Sequence, residues 1–219
     1  MKNKKFILIS FITLTLLLIL SFLVYYLSPR IKYSYDSTTD SYSIVRAYGC
    51  ANSYTIPSTY KGKKVTTIKR KAFEFTKTKN IIFEENSNIT TIESRAFYNT
   101  KIRSISLPDS VTYIYEDAFA YSSLEEIHTS ESSNYKDIAG STFFNCKNLK
   151  IVDIKNILSI GSFAFYNCIS LESLSLGLNA CVYTHAFVND TLTLYTKPGT
   201  FLDTNFDLDA NITIVEEIW

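Results

Sequence analysis

This sequence contains few of the residues on which catalytic and metal sites depend. Only two histidines, four cysteines and six glycines occur in 219 residues. No two cysteines have C-x-x-C spacing, and no cysteine and histidine cluster has the spacing of a zinc site. The scarcity of glycine argues against a glycine-rich phosphate-binding loop. The composition therefore predicts no metal site and no cofactor, and it shifts the functional question from an active site to a surface.

The histidines and carboxylates do not form a catalytic pattern in the sequence. His128 and His185 are far apart in the chain, and a general base would need both an orienting carboxylate and a nucleophile. Glu126 lies on the same face of the strand as His128, but no specific set of catalytic groups converges there. The neighbouring Glu125 points the opposite way on a strand, so the two carboxylates cannot converge as a glycosidase pair does. We therefore expect this chain not to be an enzyme.

What the sequence does contain is a repeat. An Ala-Phe dipeptide, replaced once by Thr-Phe, recurs every 22 or 24 residues. The phenylalanines of this series are Phe73, Phe97, Phe119, Phe143, Phe165 and Phe187. An isoleucine or valine stands five residues before each of them. Apolar residues at constant offsets within a period in the low twenties are typical of a solenoid, whose units bury their faces only against their neighbours.

Each unit has two apolar half-patterns, V/I-T-x-I before the dipeptide and L-x-x-I-x-L after it. The alternation in the second half predicts a short strand with one buried face, so the residues between the apolar ones point outward. When the units are aligned, these outward residues stack in two columns that begin at Ile82 and Asn80. We predict that the columns form a polar binding face made of Ser104, Ser106, Glu126, His128, Asp153, Ser173 and Ser175.

These residues carry a family resemblance. The pattern I-x-x-x-A-F-x-x-C-x-x-L-x-x-I-x-L, well matched by residues 160–176, resembles the BspA-type leucine-rich repeat of bacterial and protist surface proteins. The resemblance extends over about residues 42–214, with departures such as Thr142 in place of alanine. It implies a β-rich leucine-rich-repeat solenoid of about six repeats. It also implies recognition of, or adhesion to, a protein or polysaccharide at the cell surface, without pointing to one ligand.

Cys146 and Cys168 hold the same place in consecutive repeats, three residues after the phenylalanine. Equivalent positions in adjacent coils lie about 5 Å apart, which is within the Cα reach of a disulfide. Their Cβ bonds project in parallel, however, which is a poor start for the disulfide torsion. Both possibilities stay open at this point, and we expect buried free thiols that act as small apolar side chains.

The first thirty residues form a separate element. Residues 6–27 are uncharged and follow three lysines, and as a helix they would be about 33 Å long, enough to cross a hydrocarbon core of about 30 Å. The segment ends in Tyr25, Tyr26 and Leu27, which are bulky where a signal peptidase needs small residues. We expect a retained transmembrane helix with the repeats outside the cell membrane; the alternative is secretion after signal cleavage.

These features divide the chain into six segments. They are a cytoplasmic tail at 1–5, a transmembrane signal-anchor at 6–27, a juxtamembrane linker at 28–41, an N-terminal cap at 42–64, leucine-rich repeats at 65–194 and a C-terminal cap at 195–219.

Charge is unevenly distributed along the repeats. Residues 61–103 contain eleven basic and four acidic residues, whereas residues 104–219 contain five basic and fifteen acidic ones. The densest basic patch consists of Lys61, Lys63, Lys64, Lys69, Arg70 and Lys71. It is either a solvated edge of the first repeat or an electrostatic tether to anionic polymers and lipid headgroups. A structural scaffold or spacer that recruits a membrane partner is a further alternative. Nucleic acid is not an expected partner, because no helix that could enter a groove is predicted.

Overall fold

The computed structural model describes residues 13–21, 24, 28, 30–203 and 210–216. Five strands form its N-terminal end: β1 (Arg30–Asp36), β2 (Ser41–Tyr48), β3 (Ser53–Ile56), β4 (Thr59–Tyr60) and β5 (Lys63–Ile68). The later strands are β6 (Asn80–Phe83), β7 (Thr91–Ile92), β8 (Ser104–Ser106), β9 (Tyr113–Ile114), β10 (Glu126–His128), β11 (Asp137–Ile138), β12 (Ile151–Asp153), β13 (Ile157–Ile160), β14 (Ser173–Val182), β15 (Thr191–Thr196), β16 (Phe201–Leu202) and β17 (Asn211–Glu216).

The strands wind into a three-sided solenoid that confirms the predicted β-solenoid of stacked repeats. The first side, sheet 1, has the order β1-β2-β5-β7-β9, and β4 pairs with β5. The second side, sheet 2, has the order β12-β10-β8-β6-β3. The strands of the later coils form a further sheet, with the order β11-β13-β14-β15-β17. The long strand β14 of this sheet pairs with β15 near its start, and with β13 and β16 near its end. Strands from successive coils are parallel, because the chain winds in one direction.

The third side of the solenoid is a stack of tight turns around the Ala-Phe dipeptides. The amide of each phenylalanine donates to the carbonyl that precedes the next phenylalanine, as from Phe73 to Ala96 and from Phe97 to Ala118, both at 2.8 Å. The same bond recurs at all five junctions between the six coils. These bonds satisfy backbone groups that a buried turn would otherwise leave unpaired.

Every turn uses two left-handed residues, placed two positions before and two positions after its phenylalanine. None of the twelve is glycine, although this conformation costs a residue with a Cβ about 1 to 2 kcal/mol. The earlier position holds Lys71, Arg95, Asp117, Ser141, Phe163 and His185, with φ between 56° and 63°. The later position holds Phe75, Asn99, Tyr121, Asn145, Asn167 and Asn189, with φ between 52° and 66°. Asparagine, which tolerates the conformation best after glycine, thus fills four of the six later positions.

The core is a stack of the six repeat phenylalanines. All six are fully buried, and successive ring centroids lie 5.2–5.7 Å apart with interplanar angles of 9–24°. The alanine before each ring is 0–1% exposed in the five Ala-Phe coils and leaves room for the chain to turn. The apolar residue five positions before each phenylalanine is also buried, as the repeat predicted. Each ring therefore depends on the coils on both sides of it for its burial.

A column of small polar side chains runs beside the rings, three residues after each phenylalanine. The Sγ atoms of Cys146 and Cys168 each donate to a carbonyl of the preceding coil, Phe119 O and Phe143 O, both at 3.1 Å. Both cysteines are therefore buried free thiols, as expected from their parallel projection. Burial raises the pKa of the Cys146 thiol to about 12 and raises that of Cys168 well above its usual value. The two thiols consequently stay protonated and act as packing groups.

Asp190 ends this column. Its side chain is 1% exposed, and neither carboxylate oxygen has a hydrogen-bond partner among the described residues. Burial raises its pKa to about 8. The last coil therefore holds a carboxylic acid that is mostly neutral at pH 7.

The ends of the chain depart from the predicted segments. The linker predicted at 28–41 contains β1, which pairs antiparallel with β2 and belongs to the N-terminal cap. Tyr33 on β1 stacks on Tyr60 with centroids 3.9 Å apart, and this packing orders a segment that would otherwise be a linker. At the other end, β17 pairs along its whole length with β15. Residues 204–209 and 217–219 of the predicted C-terminal cap lie outside the described residues.

Much of the predicted transmembrane segment, Phe6 to Leu27, lies outside the described residues. Within that segment residues 13–21 and 24 are helical. Among the residues that the structure describes, no helix combines the length and the apolar character needed to cross a membrane.

The strand ladders are interrupted at two places that the repeat pattern did not predict. No ladder joins β9 to β11 within the described part of the chain. Tyr135, fully buried, stands there in the place that Val111 holds one coil earlier, so the coil must accommodate a much larger side chain. No ladder joins β12 to β14 either. β14 follows β13 instead: Leu176 pairs with Ile157, and Gly177 lies so close that a Cβ there would be 2.8 Å from Ile157 O.

Replacing Phe119 by alanine should lower the free energy of unfolding by about 3 to 5 kcal/mol, because it empties the middle of the ring stack. Neighbouring coils should loosen with it, since each shares its core with the next. Chemical denaturation measures the change. The matched control is Tyr113→Ala, which truncates a ring that is 61% exposed. A loss below about 1 kcal/mol for Phe119→Ala would contradict the assignment of this ring to the core.

Asp190 should make stability depend on pH. The folded state holds the Asp190 proton up to about pH 8, whereas the unfolded chain releases it near pH 4. The stabilisation that Asp190 contributes to the folded state is therefore complete below about pH 4 and is lost as the pH rises to 8. The free energy of unfolding should fall by at most about 1.4 kcal/mol per pH unit over this range. Chemical denaturation at several pH values between 4 and 9 should show this fall in the free energy of unfolding. The variant Asp190→Asn should lose most of the pH dependence. The control variant Asp137→Asn, which changes an exposed carboxylate, should keep it. Identical pH profiles for the chain and for Asp190→Asn would contradict the assignment.

Candidate functional site

The predicted binding face is built on three in-register strands of sheet 2. Glu126 on β10 lies between Ser104 on β8 and Ile151 on β12, and His128 lies between Ser106 and Asp153. We call these six outward positions the platform: Ser104, Ser106, Glu126, His128, Ile151 and Asp153. The ladder holds their Cα atoms about 4.8 Å apart from coil to coil, so the side chains form two fixed rows. The structure thus brings together five of the seven predicted binding residues.

A histidine between two carboxylates lies at the centre of the platform. His128 Nε2 is 3.3 Å from Glu126 Oε2, and His128 Nδ1 is 3.6 Å from Asp153 Oδ2. Lys155 Nζ donates to Asp153 Oδ1 at 2.7 Å and lies 3.5 Å from Glu131 Oε1. Lys155, and to a lesser degree His128, lower the pKa of Asp153. Glu126, His128, Asp153 and Lys155 therefore form a continuous line of polar contacts that joins two coils.

The charged side chains of this cluster are only partly buried. The side chains of Glu126, His128 and Asp153 are 33–43% exposed, and pairs at that exposure are worth at most about 1 kcal/mol each. These side chains can therefore give up their present partners and contact a ligand at a low cost in free energy. Both ring nitrogens of His128 face carboxylates, so neither is directed at a nucleophile as a general base must be. Within the part of the chain that the structure describes, no group of three or more histidine, cysteine or acidic side chains could hold a metal ion.

Two grooves flank the platform. One, of about 830 Å³, opens where β6 and β8 diverge after the single pair Asn80 and Ser104; Ile82, Ser106 and Asp109 are among its lining residues. The other, of about 440 Å³, opens at the interruption between β12 and β14 and is lined in part by Asp153, Lys155, Ser173, Ser175 and Lys197. A ligand that covers the platform would have a recess at each end.

The predicted columns do not continue into the fifth coil. Ser173 and Ser175 are exposed, but they pair with Thr193 and Tyr195 on β15 rather than with β12. They are therefore on the far wall of the second groove and not in the rows of the platform. The two serines leave the rows because β14 pairs with β13 and not with β12. The backbones of β13 and β14 can approach closely because Gly177 has no side chain.

The basic patch is at the N-terminal end of the solenoid, and half of its charges are paired. Lys63 pairs with Asp40 at 2.5 Å, Lys69 with Glu93 at 2.8 Å, and Lys71 lies 3.8 Å from Glu74. Lys61 lies over the ring of Tyr60. It occupies, with Gly62, the tight turn between β4 and β5, where both residues have positive φ. The paired charges reduce the field that this patch can project.

Sequence reasoning missed an aromatic surface on the third side. Six rings touch in succession along the turns and form what we call the ridge: Phe75, Tyr98, Tyr121, Phe144, Tyr166 and Phe163. The first five follow the repeat phenylalanines by one or two positions, an aromatic signal present in five of the six repeats. It was hidden because the offset is not constant: it is two residues in the first and third coils and one residue in the second, fourth and fifth. Arg95 stacks on the Tyr98 ring, 4.0 Å from its centroid, and also pairs with Glu74 at 2.9 Å.

Comparison with known protein families supports the repeat assignment. The model of the BspA type leucine rich repeat region matches residues 66–193 in six copies. A comparison with curated proteins found no match.

Solved structures with a similar fold come from several bacteria. A leucine-rich repeat protein from Eubacterium ventriosum matches with a TM-score of 0.55 and 22% identity, over 70% of this chain and 42% of its own. A leucine rich cell surface protein from Faecalibacterium prausnitzii matches with a TM-score of 0.49 and 18% identity, over 86% and 55% of the two chains. A leucine rich repeat protein of T. pallidum matches with a TM-score of 0.47 and 19% identity, over 76% and 83%. This chain thus spans less than half of the Eubacterium protein, and the likeness is one of fold.

Proposed function

Because this chain belongs to the BspA-type leucine-rich-repeat family, we propose that it is a recognition module that binds a protein or polysaccharide on its platform. The observation that carries the proposal is the in-register row of Ser106, His128 and Asp153, with Glu126 beside it and a groove at each end. Parallel strands fix the spacing of these polar groups without fixing their partners. Such a surface discriminates by matching hydrogen bonds and charges rather than by burying apolar area.

The pairing of charges favours the platform over the basic patch as the binding site. Lys63, Lys69 and Lys71 each have a carboxylate within 4 Å, so the patch projects less net charge than its sequence suggests. The platform lies on a different side of the solenoid, where sheet 2 presents outward side chains from three consecutive coils. An electrostatic tether and a passive scaffold remain as competing functions, and the experiment below separates them from recognition.

We also propose that residues 6–27 hold the module at the cell membrane with its repeats outside. The segment is uncharged over 22 residues, and only two residues separate its last residue, Leu27, from the start of β1 at Arg30. A span that ends at Leu27 would leave almost no tether, so the N-terminal cap would rest against the bilayer.

Binding should depend on the platform and not on the basic patch. The full-length chain in detergent micelles is screened against immobilised glycans and surface proteins, and the affinity for each hit is measured for two variants. Glu126→Ala/Asp153→Ala should weaken binding at least about tenfold, because truncating charged contacts costs 2 kcal/mol or more. The control variant Lys63→Ala/Lys64→Ala/Arg70→Ala should bind like the unaltered chain in 0.15 M salt, an ionic strength at which exposed charges are screened beyond about 8 Å.

The opposite result would support a different function. If the acidic variant bound normally and the basic variant lost all binding in a salt-dependent manner, the chain would be an electrostatic tether to anionic surface material. If neither the chain nor its variants retained any hit, the scaffold function would be favoured. Thermal unfolding of both variants establishes that each comparison is made between folded proteins.

Membrane retention is a separate prediction. Fractionation of cells that express the full chain should recover it in the membrane pellet after a carbonate wash, with the repeats cleaved by protease added to intact cells. A soluble mature form that begins near Ser28 would show that residues 6–27 are a cleaved signal peptide and would overturn the anchor.

A further inference from the structure

The pairing of β1 with β2 places two basic side chains against each other on the N-terminal cap. Lys32 on β1 lies directly opposite Arg46 on β2, although the two are far apart in the sequence. The neighbouring pair, Ile31 and Ala47, packs toward the core. Because side chains alternate along a strand, Lys32 and Arg46 face outward, and both are exposed. We call Lys32 and Arg46 the cationic pair.

The cationic pair has no counter-charge of its own. Residues directly opposite in an antiparallel pair have Cβ atoms about 4.5–5.5 Å apart, and like charges at such positions destabilise the sheet. Among the described residues, no carboxylate oxygen lies within 4 Å of Lys32 or of Arg46. In the basic patch, by contrast, Lys63, Lys69 and Lys71 each have such a partner. An anion bound at the cationic pair would therefore relieve a repulsion that the described fold leaves in place.

A recess that contains both charge and aromatic rings adjoins the cationic pair. It has a volume of about 510 Å³, and Arg30, Lys32, Tyr48 and Tyr60 are among its lining residues. No described acidic residue lines it. The guanidinium carbon of Arg30 lies 6.0 Å from the centroid of the Tyr48 ring, and Lys61 Nζ lies 5.6 Å from that of Tyr60. The recess therefore suits an anionic group rather than a cation.

The position of the recess in the chain indicates where such an anion would come from. Only two residues separate Leu27, the end of the proposed membrane segment, from the start of β1 at Arg30. A connection of that length spans at most about 11 Å. Long basic side chains and tyrosine rings are favoured at the boundary between membrane and water. Headgroups held this close have a high effective concentration, so weak contacts would be occupied.

We propose that the cationic pair and the adjoining recess bind the phosphate group of a membrane phospholipid. Lysine and arginine make charge-assisted hydrogen bonds to phosphate oxygens, and arginine can donate two of them at once. The inference rests on the proposed membrane segment for the source of the phosphate. It does not rest on ligand recognition by the platform, which is on sheet 2. Contacts of this kind would fix the direction in which the solenoid leaves the membrane.

The test uses the full-length chain in micelles of dodecyl maltoside, a detergent without phosphate. Phosphatidylglycerol or phosphatidylcholine is added, and native mass spectrometry measures the affinity of the first bound lipid. Phosphatidylglycerol should bind at least about fivefold more tightly, because it has no ammonium group to neutralise its phosphate and one exposed ion pair has about this effect. Lys32→Gln/Arg46→Gln should abolish the preference. The matched control Lys101→Gln/Lys147→Gln removes the same charge from exposed lysines of later coils and should keep it.

Folding of the double variant can be checked without lipid. Its melting temperature should stay equal or rise, because the substitution removes two like charges that lie opposite each other. Equal affinities of the unaltered chain for the two lipids would overturn the proposal. So would a preference that survives in a folded Lys32→Gln/Arg46→Gln variant, or one that the control variant loses as well.

Two further arms identify the source of the phosphate. An excess of inorganic phosphate should displace the lipid only partly; complete displacement at equal concentration would show a site for free phosphate. Tighter binding of soluble poly(glycerol phosphate) than of phosphatidylglycerol would show a site for an anionic polymer and would overturn the lipid assignment. A chain that is not retained in membranes but keeps its lipid preference in micelles would overturn the anchor alone. A retained chain without the preference would overturn the phosphate site alone.

Discussion

The stack of phenylalanine rings and the amide bonds beside it are the constraint on which the rest of this structure depends. Each ring is buried only because the coils before and after it are in place, and each turn is satisfied only by the carbonyl of the next coil. No coil could therefore fold alone, and stability is built from contacts between nearest neighbours. The twelve left-handed residues of the turns carry a cost that this stacking offsets.

This constraint acts only on the side chains that point inward. The alternating strands of sheet 2 can change every outward residue without disturbing the rings, and the platform uses that freedom to place a histidine between two carboxylates. The same separation explains why the polar column inside the coil varies from threonine to cysteine to Asp190. The first coils satisfy its members with carbonyl bonds, whereas the last coil leaves a carboxyl group without a partner and raises its pKa.

The sequence was informative wherever structure follows from a fixed offset. The spacing around Phe119 and its equivalents predicted the core, the strand faces and the rows that meet at His128. It could not predict where ladders stop, because that depends on volume and close approach in three dimensions. In the sequence, Tyr135 looks like one more apolar residue of the repeat and Gly177 like an ordinary glycine. In the structure, each lies where a strand ladder is interrupted. The ridge escaped because its rings stand at three different offsets from the repeat phenylalanines, so no single position of the repeat marks it.

The platform and the ridge are surfaces of different physical kinds, and a solenoid can carry both because its sides are independent. The platform consists of half-exposed charged groups whose pairings cost little to exchange, so it suits a ligand recognised by its polar pattern. The ridge consists of rings that hold one another in place, so little side-chain entropy remains to be lost on binding. Their lengths are nevertheless set separately: the platform stops at β12, because β14 does not continue its ladder, whereas the ridge continues into the fifth coil. The number of repeats thus limits the reach of both surfaces, and a break in a strand ladder shortens the platform alone.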